Sequence, residues 1–140
     1  MVDASLVMAF DYGTKKIGVA VGQAMTGTAS PVSVLVAKDG VPDWQKVEDL
    51  LTEWQPSHLV IGLPLNMDDT PSAMSDRAIK FARRLTGRFN IPHSIVDERL
   101  SSFEAKQLTG VKSHRTLSSK KPLDAIAAKL ILETWFRQNE

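Results

Sequence analysis

At 140 residues, with 43% apolar and 24% charged residues and a net charge of +1, the chain has the size of one domain that buries roughly two thirds of the surface its unfolded form exposes. That balance excludes a disordered chain, and no repeat at solenoid spacing is present. The absence of cysteine excludes a disulfide framework and thiolate metal centres, and suits a reducing cytoplasm.

The first apolar stretch, from Ala4 to Phe10, is too short to span a bilayer and lacks the basic front and small-residue cleavage site of a signal peptide. No membrane partner is therefore expected, and the expected location is cytoplasmic. Residues 5–12 and 17–23 read as β-rich runs joined by "GTKK", a hairpin, and "ASPVSVLVA" supplies a third strand of alternating character. In "VPDWQKVEDLLTEWQP" the residues Trp44, Val47, Leu50, Leu51 and Trp54 fall at helical spacing, with Asp43 as cap and Pro56 as stop. "HLVIGLP" is a short buried strand. In "DDTPSAMSDRA", Thr70 can cap a helix with Pro71 in its first turn and an apolar stripe of Met74, Ala78, Phe81, Leu85 and Phe89. "IPHSIVDERL" is a fifth strand, "SSFEAKQL" a short helix from a serine cap, "GVKSHRTLSSKK" a basic loop, and "PLDAIAAKLILETWF" a closing helix. Two late strands reached through helical crossovers predict an α/β domain over residues 1–140, a mixed five-stranded sheet with helices on both faces.

Charge is unevenly spread. From Arg77 to Lys121 there are eleven Lys and Arg against three acids, a balance of +8, which leaves −7 on the remainder. A polyanionic partner is the natural complement of that segment. Within it Arg77, Lys80, Arg84 and Arg88 share one helical stripe, the pattern of a solvated face or of a nucleic-acid contact. Lys112, His114, Arg115, Lys120 and Lys121 form a second cluster that leads directly to Asp124.

Carboxylates end three elements: Asp11 after "LVMAF", Asp97 and Glu98 at the end of the fifth strand, and Asp124 in the first turn of the last helix. Strand ends beside loops are where sites gather in mixed α/β sheets. Converging carboxylates repel unless a cation lies between them, and hard ions such as Mg²⁺ or Mn²⁺ choose oxygen ligands. Asp124 also has a structural explanation, since an acid near a helix N-terminus is favourable by about 0.3–1 kcal/mol. Asp11, next to buried surface, needs compensation. Alternation sends Asp97 and Glu98 to opposite faces, and periodicity leaves open which of them meets Asp11. "YGTKKIG" could turn Lys15 or Lys16 toward a phosphate, although a Gly-Thr turn is common in hairpins. His58 and His93 precede strands without metal-ligand spacing.

Four stretches, "FDYGTKKIGVAV", "VIGLPLNMDDT", "DERLSSFEA" and "LDAIAAKLILETW", together resemble the YqgF/RuvX family of Holliday junction resolvases and precursor 16S ribosomal RNA nucleases. The resemblance covers almost the whole chain. It implies a ribonuclease H-like fold and a hydrolase that cuts phosphodiester bonds with two ions, Mg²⁺ or Mn²⁺. By the same resemblance Asp11, Glu98 and Asp124 are the catalytic, metal-binding acids, with Asp97 in reserve. Arg99, Lys120 and Lys121 would bind phosphate, Asn66 would line the site, and Lys15, Lys16 and Arg115 would join the substrate contacts. The roles of His114 and Arg115 are the least fixed by the family pattern. The implied partners are nucleic acid, with precursor ribosomal RNA favoured over branched DNA, and ribosomal particles.

Three further readings compete with this one. An actin-like ATPase shares the "DYGT" turn but needs a second lobe to close over its nucleotide, which 140 residues cannot build. A non-catalytic RNA-binding factor of ribosome assembly would keep the basic surface and make no use of the acids. A Holliday junction resolvase-type endonuclease would, by contrast, use the same acids on branched DNA. Oligomeric state is left open.

Overall fold

The computed structural model describes residues 6–63, 73–97 and 123–138. Nine elements lie in these ranges: β1 (Leu6–Asp11), β2 (Lys16–Gln23), β3 (Thr28–Lys38), β4 (Val41–Pro42), α1 (Trp44–Trp54), β5 (His58–Leu63), α2 (Ala73–Phe89), β6 (His93–Asp97) and α3 (Leu123–Gln138). The short helix expected at "SSFEAKQL" and the basic loop after it lie outside the described residues, as does the proposed cap Thr70.

The sheet has the order β4-β3-β2-β1-β5-β6. β1 to β4 form an antiparallel meander, and β5 and β6 add parallel to β1. The expected five strands become six. The extra one is β4, whose two residues pair as Ala37↔Pro42 and Lys38↔Val41. Asp39 and Gly40, with φ of 51° and 83°, make the tight turn between β3 and β4, because a two-residue hairpin with the sheet's twist requires positive φ at both positions. Strand β4 ends immediately before Asp43, the cap of α1, so the segment reads as a helix approach rather than a strand.

Strand β1 lies at the centre of the sheet and is buried on both faces, which explains its near-continuous apolar run. Met8 and Phe10 join Ile17, Val19, Leu59 and Ile61 on one face, under Val47 and Leu51 of α1 and Ala78, Phe81 and Leu85 of α2. Val7 and Ala9 join Ala29, Val60 and Val96 on the other, under Ile131, Leu132 and Phe136 of α3. Helices thus cover both faces, as expected. Strand β3 contains Pro31, which lacks an amide donor; it sits where the β2–β3 register shifts, with Val19 opposite Ser33 and Ala20 opposite Pro31, a bulge that tolerates proline.

Helix α1 begins and ends where the sequence predicts. Asp43 caps α1, its Oδ1 accepting from the Gln45 amide at 3.0 Å, and Gln55 closes it in a left-handed conformation. Asn90, also left-handed, donates its amide to the Thr86 carbonyl after α2 at 2.8 Å. Among the described residues no helix is long and apolar enough to cross a membrane.

A carboxylate at the end of the central strand

Asp11 is the last residue of β1 and is half-buried. Its parity is that of Val7 and Ala9, so alternation places it on the α3 face. Directly opposite on β2 is Gly18, which has no side chain to crowd the carboxylate. Two residues earlier Lys16, exposed, has the same parity as Gly18 and shares that face at the same end of the sheet. Of the sequence-predicted cations, Lys16 is thus the one the described strands bring beside Asp11.

The turn between β1 and β2 is held rigidly. A Cβ on Gly13 would lie 2.6 Å from the Lys16 carbonyl oxygen, so this position admits no side chain without moving the backbone. The Ala37 amide donates to the Lys15 carbonyl at 2.8 Å and the Gly40 amide to the Thr14 carbonyl at 2.9 Å. These bonds tie the turn to the β3–β4 hairpin. Lys15, also exposed, therefore projects from a fixed backbone.

Strand β6 ends at Asp97, which pairs with Leu63 of β5. Val96 packs under α3, and Ser94, of the same parity, bonds the His58 Nε2 at 2.7 Å. The His58 ring in turn stacks on Trp135 of α3 at 5.1 Å. The even-numbered residues of β6 thus face α3, as Asp11 does. Glu98 lies outside the described residues, and Asp97 and Asp124 are described in backbone only. Asn66, Arg99, Arg115, Lys120 and Lys121 lie outside the described residues as well. Among the described residues no three His, Asp or Glu side chains stand together as a metal site.

The contacts of α3 locate its C-terminal end. Trp135 meets His58, which pairs with Val7, and a Cβ on Gly22, also paired with Val7, would touch Phe136 at 3.0 Å. The C-terminal part of α3 thus lies over the N-terminal end of β1. Small residues make this approach possible: Ala9, Ala20, Gly18 and Gly22 present little bulk, and Ala125 and Ala128 of α3 are buried.

The histidines that open β5 and β6 do structural work. His58 bonds Ser94 as above, and the His93 Nδ1 pairs with the Thr86 Oγ1 at 2.6 Å. Burial, with His93 adding to it, pulls the His58 pKa below its ordinary value, so the neutral ring is the form that fits.

Comparison with known proteins bears on the family and the fold. The RuvX family pattern, described as Holliday junction resolvase, matches residues 5–138. A protein of Azotobacter vinelandii named "Putative pre-16S rRNA nuclease" is 55% identical over 133 residues, covering 95% of this chain and 94% of its own. One of the same name from Pseudomonas putida is 54% identical over 140 residues, covering 99% of each. Among solved structures, Thermus thermophilus RuvC in complex with a Holliday junction substrate superposes with a TM-score of 0.60 at 15% identity, covering 96% of this chain and 95% of that one. The Fowlpox virus resolvase bound to junction DNA superposes with a TM-score of 0.57 at 13% identity, covering 96% and 98%. The fold is ribonuclease H-like, and the chain belongs to the RuvX family.

Proposed function

We propose that this protein is a divalent-metal-dependent nuclease that hydrolyses phosphodiester bonds of precursor 16S ribosomal RNA in the cytoplasm, with Asp11, Glu98 and Asp124 as its catalytic acids. The observation that carries the reading is the placement of Asp11: a half-buried carboxylate on the α3 face of the central strand end, opposite a glycine and beside Lys16. The other two acids fit the same place. From Trp135 back to Asp124 α3 rises about 16 Å, and from Val7 to Asp11 β1 advances about 13 Å. The reading takes α3 to run back along β1 from that C-terminal end, a course on which its first turn, with Asp124, would come level with Asp11. Ser94 and Val96 face α3, and alternation carried one residue past the end of β6 would give Glu98 the same face and Asp97 the other. Parity therefore favours Glu98 over Asp97 as the partner of Asp11.

The donor chemistry suits Mg²⁺ or Mn²⁺, which take carboxylate and water oxygens. When bound, such ions lower the pKa of a coordinated water and stabilise charge on a phosphodiester. The chain's own part is to hold the carboxylates without competing side chains, a role filled at Asp11 by Gly18. Lys15 and Lys16, on their fixed turn, hold a substrate phosphate, and Arg99, Arg115, Lys120, Lys121 and Asn66 supply the remaining contacts.

The test is cleavage of labelled precursor RNA by the full chain and by Asp11→Asn, with Mg²⁺, Mn²⁺, Ca²⁺ or chelator. Cleavage should need Mg²⁺ or Mn²⁺ and vanish in the variant, with RNA binding retained, because the amide keeps the shape and removes the charge. Undiminished cleavage in excess chelator would refute the reading. The family description favours a second reading, a resolvase acting on branched DNA; a four-way junction run beside the RNA separates the two.

A further inference from the structure

On the opposite face of the sheet from Asp11, one residue further along the chain, a cavity of about 210 Å³ is lined by Tyr12, Asp39, Gly40, Trp44, Lys80 and Arg84, with Val41, Arg77 and Phe81 completing it. Its floor is rigid. The Tyr12 hydroxyl donates to the Gly40 carbonyl at 3.0 Å, and the Tyr12 ring packs on Phe81 with centroids 5.1 Å apart. Phe81 in turn stacks with Trp44 at 6.0 Å, and the Arg88 guanidinium lies 4.3 Å over the Trp44 ring. Trp44 is thus already engaged by a ring and by a cation, so the cavity does not offer it as a stacking platform for a base.

What the cavity does offer is charge. Arg77, Lys80, Arg84 and Arg88 lie along one side of α2 at steps of three and four residues, and three of them reach the cavity. Arg77 pairs with Asp39 at 2.9 Å. Among the described residues Lys80 and Arg84 have no acid partner, and both are exposed. Arg77 and Arg84 act on the Tyr12 phenol as well, lowering a pKa that burial, the larger effect, raises. The wall is therefore a concave, positively charged surface on an aromatic base.

We infer that this cavity binds two consecutive phosphodiesters of the substrate strand away from the cleavage point, Lys80 and Arg84 taking one each while the strand passes over the end of β1 to Asp11. The inference rests on the nuclease reading above and adds a second grip on the same strand. Asp11 ends β1 on the α3 face, and Tyr12, the next residue, packs with Phe10 and Phe81 on the other, so a strand rounding that end of the sheet reaches both the carboxylate and the cavity. Such a contact positions the strand without reading its sequence. Short substrates would reach only the Asp11 side; longer ones would engage both.

The test uses the full chain and a Lys80→Ala/Arg84→Ala double variant, which leaves the core and the Arg77–Asp39 pair in place. Anisotropy of labelled single-stranded RNA is followed in chelator from 50 to 200 mM salt, so that binding is read apart from cleavage. Loss of two phosphate contacts should flatten the salt slope by about 1.4, so that the variant loses roughly sevenfold less affinity across that range. With Mg²⁺, cleavage of a long RNA should fall in the variant while cleavage of a trinucleotide stays at the unaltered chain's rate. A Lys80→Arg single variant, which keeps both charges, should keep the slope of the unaltered chain. An unchanged slope overturns the inference even where Asp11→Asn abolishes cleavage, whereas a flattened slope without any metal-dependent cleavage keeps the binding site and refutes the nuclease reading. Inorganic phosphate titrated against tryptophan fluorescence is the remaining arm: saturable binding of free phosphate with an unchanged RNA slope assigns the cavity to a small anion and also overturns the inference.

Discussion

Replacing Gly22 by alanine tests how α3 is held on the sheet. The added Cβ would stand 2.3 Å from the Thr28 carbonyl oxygen, 3.0 Å from the Ala29 Cα and 3.0 Å from the Phe136 Cε2. Two of these three neighbours are backbone atoms of an antiparallel ladder and cannot rotate aside, so relief has to come from parting β2 from β3 or from lifting α3. Overpacking of this kind costs about 1–3 kcal/mol, with the upper part of that range expected where backbone must move. Against it stands the gain of about 0.5–1 kcal/mol from removing a glycine from a strand interior. The net expectation is a loss of roughly 2 kcal/mol, which for a chain of this size lowers the melting temperature by about 6 °C. Urea and thermal unfolding followed by far-UV circular dichroism read the loss directly. Near-UV dichroism should change too, because Phe136 and the neighbouring Trp135 move with the helix. An unchanged or raised midpoint would show that α3 does not rest on Gly22, and would remove the support this contact gives to Asp124 meeting Asp11.

Two further predictions follow from the same structure. Gly87→Ala, in α2, meets no atom within 4 Å and should raise stability by about 0.8–1 kcal/mol through helix propensity alone; a lower urea midpoint would refute this. His58, whose pKa burial holds below its ordinary value of 6.5, resists a proton that the unfolded chain accepts. Stability should therefore be full above about pH 7 and decline as pH falls through the unfolded value near 6.5. Urea midpoints between pH 5 and 7.5 at constant ionic strength check this, and His58→Gln should flatten the decline.

Much of this architecture is legible in the sequence because its signals are local. The apolar run before Asp11, the Asp43 cap, the helical spacing from Trp44 to Trp54 and the Ala78, Phe81 and Leu85 stripe each report a single element. Strand β4 escapes because its two residues are too few for a pattern, and because Asp39 and Gly40, a strong hairpin signal, run straight into the α1 cap. The choice between Asp97 and Glu98 is open to periodicity, and Glu98 lies outside the described residues. The α2 cations are visible as a stripe, but nothing local says that Tyr12 and Trp44, remote in sequence, close a cavity against them. Long-range packing makes that feature, and packing is what a one-dimensional pattern does not contain.

The cover that α3 places over Val7, Ala9, Val60 and Val96 has a consequence in time. The chain is made from its N-terminus, and this helix is the last described element to emerge. Once β6 has been synthesised, the 41 residues from 98 to 138 take roughly 2 to 8 s to follow at ordinary translation speeds. Throughout that interval the sheet can close its α1 and α2 side and leave the other apolar face bare. The helix that finally shields that face also carries Asp124, so the protein stays without the third acid of the proposed site until its second core is sealed. Maturation of the fold and onset of the proposed cutting would then be one event, and an interrupted chain would be both sticky and inert.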